Sequence, residues 1–456
     1  MTDKDALIAQ LQEENRQLRE TVRLLQEEVA RLKKHSGTSS KPPSSDIVKP
    51  PKPSGRRRKK RKRGGQPGHR KHTRISFAPE QVDEVIEYEF RAADAEGLEP
   101  LDQWHVLQQI ALPEKRYRVI EHRARKYRNP RTGQIQIAPM PDEVRSGGLL
   151  AADLTAAVAF LKGGCHMSYS TLQRFFKEVV RLDLSRGVLC KATQKVSQAL
   201  EKPYEQLRDQ LPDASPLGID ETGHKNDGQL HWTWCFQTPL YSLFHIDASR
   251  GSEVLIRLLG EEFDGIIGCD YWGAYRKYAR LFDTWVQYCM AHLIRDIRFL
   301  AEHRLKRLAR WGQKLLAWLK KLFDTLHRRD RYREETFLRK MLAIKQGFLT
   351  CVRRPPNHGL ARKLARRFKG QAAEDYFRFL RDPCVEPTNN STEREIRHTV
   401  IDRRVTQGTR GQAGMQWCQR IWTTIATCRK QQRNVFEFLH QCIVAHWTDS
   451  PCPTFL

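Results

Sequence analysis

Three acidic residues far apart in the chain stand where carboxylates could work together. Asp220 ends the apolar run Pro216-Leu217-Gly218-Ile219, and Asp270 ends Gly265-Ile266-Ile267-Gly268-Cys269. Glu393 lies in the polar stretch Pro387-Thr388-Asn389-Asn390-Ser391-Thr392-Glu393-Arg394. An apolar run closed by an acid reads as a buried strand that delivers a carboxylate to a sheet edge. Pro, Asn, Ser and Thr start helices, so a carboxylate just inside such a start points at whatever the helix end faces. Taken alone, Glu393 reads more readily as half of a capping box, and the rest of the chain shifts the balance. Three carboxylates on rigid elements suit Mg2+ or Mn2+, which take oxygen ligands. Two such ions about 3.5–4 Å apart meet the needs of phosphodiester attack, because both the attacking and the leaving oxygen carry charge. Asp220 would bridge both ions, Asp270 would bind one and Glu393 the other. Glu221 competes with Asp220, but strand alternation sends the two to opposite faces, and Asp220 directly ends the apolar run.

The surrounding elements fit that placement. His231–Phe236 and Tyr241–Ile246 read as strands that make an antiparallel meander with 216–220. A helix over 251–259, the strand ending at Asp270, a helix over 273–281, a strand over 284–289 and a helix over 291–300 complete an α/β order expected of a ribonuclease-H-like core. Residues 301–383 are basic with helical leucine spacing (Leu305, Leu308, Leu315, Leu316, Leu319, Leu322, Leu326), broken by Arg353-Arg354-Pro355-Pro356. They read as an all-α insertion in the core. Residues 384–456 then hold Glu393, in a helix expected to end near His398, glycine turns at 408, 411 and 414, and closing helices over 417–429 and 435–447. The chain as a whole reads as multidomain and mostly α. His292, close after Cys289, reads as a packed or hydrogen-bonded residue, since no second ligand pair lies nearby in sequence.

The 456 residues carry 80 Lys and Arg against 53 Asp and Glu, a formal charge of +27, which favours a polyanionic partner such as double-stranded DNA. No apolar run nears the roughly 20 residues a membrane span needs, and the N-terminus lacks the apolar centre of a secretory signal. Eleven cysteines, none before Cys165 and none in a Cys-x-x-Cys pair, read as reduced thiols of a cytoplasmic protein.

Residues 1–35 carry Leu11, Leu18, Leu25 and Leu32 every seven residues, with Asn15, Val22 and Val29 on the second apolar position. This is the pattern of a parallel two-stranded coiled coil, with Asn15 fixing register, and it predicts a homodimer or higher oligomer. Residues 36–78 read as a flexible linker containing Arg56, Arg57, Arg58, Lys59, Lys60, Arg61, Lys62 and Arg63. Eight consecutive cations stay extended until a polyanion neutralises them, which predicts phosphate contact without base readout. Residues 79–145 form a small mixed segment, with partial alternation over 82–90 and 115–121 and a turn at 129–133. Residues 146–213 read as three helices, the third running from Ser185 to about Leu211. That arrangement resembles a helix-turn-helix whose DNA-facing cations would include Arg186.

Several ordered marks give the chain its resemblance to a family. They are the zipper; Ser39-Ser40-Lys41-Pro42-Pro43-Ser44-Ser45-Asp46; Gly65-Gln66-Pro67-Gly68-His69; Gly218-Ile219-Asp220-Glu221-Thr222; Cys269-Asp270-Tyr271-Trp272-Gly273-Ala274-Tyr275; Cys289-Met290-Ala291-His292-Leu293; and Asn389-Asn390-Ser391-Thr392-Glu393-Arg394. Together they resemble the insertion sequence 66 family transposases along nearly the whole length. The resemblance implies a bacterial, nucleoid-associated DDE recombinase. It would cut at transposon ends and join the freed 3′ hydroxyl to target DNA, with Asp220, Asp270 and Glu393 as its acidic triad. Element-encoded helper proteins are partners the resemblance leaves open. Members often carry a zinc-binding domain after the basic linker. Here Asn129-Pro130-Arg131-Thr132-Gly133 stands where a cysteine knuckle would be, the region has no cysteine, and no zinc is expected. Two other readings share the zipper and basic run: a non-catalytic DNA-binding protein with a degenerate core, and a nuclease that cuts without joining.

Overall fold

The computed structural model describes residues 13, 14, 16, 17, 21, 76–89 and 104–456. The zipper positions, the basic run 56–63 and the motifs at 39–46 and 65–69 lie outside the described residues. The turn at 129–133 joins a two-stranded hairpin, β1 (Lys126–Arg128) against β2 (Ile135–Ile137). Asn129 Oδ1 accepts from the backbone N–H groups of Arg131 (2.9 Å) and Thr132 (3.3 Å), the Asx geometry that favours Asn here. The alternation over 82–89 and 115–121 does not produce strands.

Helices follow: α1 (Asp142–Gly147), α2 (Ala152–Gly163), α3 (Tyr169–Phe175), α4 (Arg186–Ala199) and α5 (Glu201–Asp209). Ser168 and Ser185 cap α3 and α4, accepting from Thr171 N (3.1 Å) and Val188 N (3.3 Å). The helix expected to run from Ser185 to Leu211 is instead two. Leu200 separates α4 from α5, and Pro203 sits in the first turn of α5, where its missing N–H is not needed. One face of α2 packs into a small cluster with Leu172, Phe176 and Leu189. Its Ala152, Ala156 and Ala159 join the main core.

The main core surrounds a five-stranded mixed sheet of order β5-β4-β3-β6-β7. Its members are β3 (Leu217–Asn226), β4 (Gln229–Gln237), β5 (Ser242–Asp247), β6 (Ile266–Cys269) and β7 (Trp285–Tyr288). The first three are antiparallel, while β6 pairs parallel to both β3 and β7. α6 (Ser252–Leu259), α7 (Gly273–Leu281) and α8 (Met290–Ala301) follow β5, β6 and β7. The strand expected to end at Asp220 continues to Asn226. The turn Asp227-Gly228, with positive φ at both residues, folds it back on β4 along its full length. Asp220 is therefore mid-strand in the antiparallel ladder, yet it stands beyond the parallel one, which pairs Leu217 with Ile267 and Gly218 with Gly268. Asp220 and Asp270 each lie the same distance along the chain past those pairs.

Three helices, α9 (Lys306–Leu326), α10 (Glu334–Val352) and α11 (Gly359–Arg366), fill the stretch before Glu393. Leu308, Leu315, Leu319 and Leu322 are buried, whereas Leu305 is exposed. The chain ends in α12 (Asn390–Thr406), α13 (Gly411–Lys430) and α14 (Val435–Trp447). α12 outruns its expected end near His398 because Thr399 and Asp402 extend its buried face. It stops where Gln407 and Gly408 adopt positive φ. Gly414 lies inside α13, not in a turn. α13 covers the free edge of β5: Gln419, Thr423 and Thr427, four residues apart, accept from the backbone N–H groups of Ile246 (2.7 Å), Phe244 (2.9 Å) and Ser242 (3.3 Å). An edge that would otherwise offer unpaired donors is thereby satisfied. Among the described residues, no helix is long and apolar enough to cross a membrane.

Candidate active site

The start of α12 is stitched to the strand that carries Asp220. Asn389 Nδ2 donates to Ile219 O (2.8 Å), and Asn389 Oδ1 accepts from Thr392 Oγ1 (2.7 Å). Asn389 thus ties β3 to the Thr392 hydroxyl in the first turn of α12, without capping a backbone N–H of that helix. A Cβ on Gly218 would overlap Thr392 Oγ1 and crowd Gln237 Oε1 at 3.1 Å, so this close approach requires glycine. A second seam joins α12 to α8: Asn389 N donates to Cys289 Sγ (3.1 Å), and Met290 N donates to Pro387 O (2.9 Å). Cys289 N in turn donates to Cys269 O (2.8 Å). Segments that are 170 residues apart in the chain are locked together around the three acids.

Asp220, Asp270 and Glu393 are each half-buried. The Asp220 carboxyl is held well above the usual carboxylate range, first by burial and then by the charges of Glu221, Glu393 and Asp270. Asp270 is pushed up to about 6 by burial and by Glu221, against the pull of the Trp272 N–H, Arg250 and Arg295. Burial raises Glu393, while Arg295 and Arg397 oppose the shift. Short backbone bonds aim two of the acids: Glu221 N donates to Asp220 Oδ1 (3.0 Å), and Trp272 N donates to Asp270 Oδ1 (2.8 Å).

Glu221 has its own partners. Its side chain is 2% exposed, pairs with Arg250 at 2.8 Å and accepts from the Tyr275 hydroxyl. It is nonetheless the largest charge acting on both aspartates. Nothing local in the sequence marks this ion pair, or Arg295 as a neighbour of Glu393. His292 Nδ1 lies 3.6 Å and Arg295 Nη2 3.4 Å from Glu393 Oε1. The two stand three residues apart on one face of α8, a spacing that does not by itself point to Glu393. Among the described residues, one group of three potential ligand atoms lies within 4.8 Å of one another: those of Cys289, His292 and Glu393. Burial pushes the Cys289 thiol up to about 11, and it already accepts a hydrogen bond from Asn389 N. A neutral thiol is a poor ligand for a hard ion. Asp220 and Asp270 stand outside that group. Arg186 is exposed at the start of α4.

Asp220 and Asp270 thus stand just past the parallel pairs of adjacent strands, and Asn389 ties the start of the helix that carries Glu393 to β3. A family profile described as Transposase IS66 family matches residues 147–417, more than half of the sequence, and the chain belongs to that family. It is thus a DNA-transposing enzyme, of a type that generally uses divalent metal ions. A second profile, for a family of unknown function (DUF6444), matches residues 2–75. No curated protein matches the chain.

Proposed function

We propose that the chain is a DDE-type transposase that cuts DNA at the ends of an insertion sequence and joins the freed 3′ hydroxyl to target DNA. Asp220, Asp270 and Glu393 would hold two Mg2+ or Mn2+ ions. The observation that carries this reading is that Asp220 and Asp270 lie just past the parallel pairs of adjacent strands, with the start of the helix bearing Glu393 tied to Ile219 by Asn389. Burial and the neighbouring carboxylates raise the Asp220 carboxyl, a cation would favour its ionised form, and an all-oxygen set suits a hard ion. The sheet order, three antiparallel strands followed by two parallel ones with intervening helices, supports a ribonuclease-H-like core.

When bound, the ions would neutralise charge on the phosphate and activate the attacking water or hydroxyl. The chain's own groups prepare the site. The N–H groups of Glu221 and Trp272 fix the aspartate carboxylates. Arg295 and Arg397 favour ionised Glu393. The seam between α12 and β3 keeps Glu393 on the same rigid frame as Asp220. The starts of α8 and α12 meet at Cys289 and Asn389, where Met290 N donates to Pro387 O and Asn389 N to Cys289 Sγ.

Around this core, residues 1–35 would dimerise the protein, residues 56–63 would contact DNA phosphates, and residues 146–213 would add a helix-turn-helix surface including Arg186. The functional test is cleavage and joining of labelled DNA carrying the element's terminal repeats, with Glu393→Gln in parallel. Metal-dependent cleavage and joined product, both lost in the variant, support the proposal. Cleavage without joined product makes the protein a nuclease instead.

A further inference from the structure

Trp272 is exposed at 42%, a large open surface for a tryptophan two residues from the half-buried Asp270. It follows Asp270 by two residues, and its backbone N–H holds the Asp270 carboxylate. Its ring is not loose. The Arg250 guanidinium lies 4.0 Å from the Trp272 ring centroid and 4.5 Å from that of Trp232, so the cation sits against two indoles. Arg250 is anchored in turn by Glu221 at 2.8 Å, and Glu221 also accepts from the buried Tyr275 hydroxyl. The result is a braced column of Trp232, Arg250 and Trp272 standing beside Asp270.

We infer that Trp272 is a stacking platform for an unpaired nucleobase at the DNA end being processed. The inference rests on the active-site reading above, because it needs DNA to lie across Asp270. Three features select a base. The Arg250 charge is already neutralised by Glu221, so the column offers an aromatic surface more than a phosphate hook. An arginine behind an indole polarises and orients it, as cation–π pairs do. Within a duplex, bases show their edges and not their faces, so an indole can stack only on a base freed at a break or an end. The position of Trp272 beside Asp270 places that surface where a cut would free one. Stacking of this kind tolerates any base, so Trp272 would position the strand without reading its sequence.

The test uses the full chain without divalent metal, so that no cleavage intervenes, and two duplex probes. One ends in a single unpaired 2-aminopurine, whose fluorescence falls on stacking, and the other is blunt. The wild type is expected to quench the probe and to prefer the unpaired end by about tenfold. Trp272→Phe keeps an aromatic face and retains much of both effects. Trp272→Ala, with an unchanged melting temperature, loses the quench and the preference together. Equal quenching and preference in wild type and Trp272→Ala would overturn the inference while leaving the acid triad untouched, because the triad is read separately by the cleavage assay with Glu393→Gln. Failure of the wild type to bind either DNA would overturn both.

Discussion

Asp220 brings the local physics of the site together. Burial first, then the charges of Glu221, Glu393 and Asp270, raise its carboxyl, and the Glu221 N–H opposes them. Removing one negative charge from such a cluster relieves repulsion while deleting a proposed ligand. Asp220→Asn and Glu393→Gln are therefore expected to abolish metal-dependent cleavage, by about 1,000-fold or more in line with loss of a metal-held charge. Both should bind DNA as well as the wild type or better, as fluorescence anisotropy can show. Near-normal cleavage in either variant would remove that residue from the ligand set. Asp220 and Asp270 stand out in the sequence because an apolar run closed by an acid is a local pattern, whereas Glu393 lies in a polar helix start. The partners of Glu221 and Glu393 do not stand out. Arg250 and Tyr275 reach Glu221, and Arg295 reaches Glu393, through contacts that no spacing in the sequence encodes. Only the Cys289-x-x-His292 spacing hinted that the start of α8 mattered.

Among the elements, the docking of α12 on β3 decides whether the third acid reaches the other two. Gly218→Ala would drive a methyl into Thr392 Oγ1 and toward Asn389 Oδ1 at 3.3 Å. Overpacking of this kind costs about 1–3 kcal/mol. The expected result is a modest fall in unfolding midpoint with a far larger loss of cleavage, since Glu393 moves with its helix. A variant that loses stability but keeps full cleavage would separate the seam from the chemistry. A second junction carries a pH signature. Asp247, at the end of β5, is held down at about 2, chiefly by its hydrogen bond with His245, with help from Ser249 N and Arg257. Its folded value lies below the unfolded value of about 3.9. Its contribution is therefore present above pH 3.9 and is lost as pH falls toward 2. Asp247→Asn should flatten this part of the acid-unfolding curve, and an unaltered curve would contradict the assignment. At this scale the elements of the sheet were largely legible, but their ends were not. The length of β3 was hidden because Gly223, His224 and Lys225 interrupt its apolar pattern, while Asp227-Gly228 was the unread hairpin signal. α13 reads as an apolar helix, and the buried Thr and Gln side chains that close the β5 edge become intelligible only once that edge is known.

For the whole molecule, charge and chain order define the partner. The excess of +27 and the transposase family agree on DNA. If residues 56–63 grip phosphates alone, deleting them should weaken binding to all sequences alike and lower the slope of log affinity against log salt by up to about 7, since each neutralised phosphate adds about 0.9. A shift in sequence preference would mean that the run reads bases. The central claim is that three acids, set at one junction of the sheet by segments distant in sequence, form a single metal-dependent site for cutting and joining DNA. Its most direct test is the Mg2+-dependent reaction of the wild type and Asp270→Asn on labelled DNA bearing the element's inverted repeats. The account predicts cleaved and joined products from the wild type and neither from the variant, at equal DNA binding. Undiminished cleavage by Asp270→Asn would contradict it.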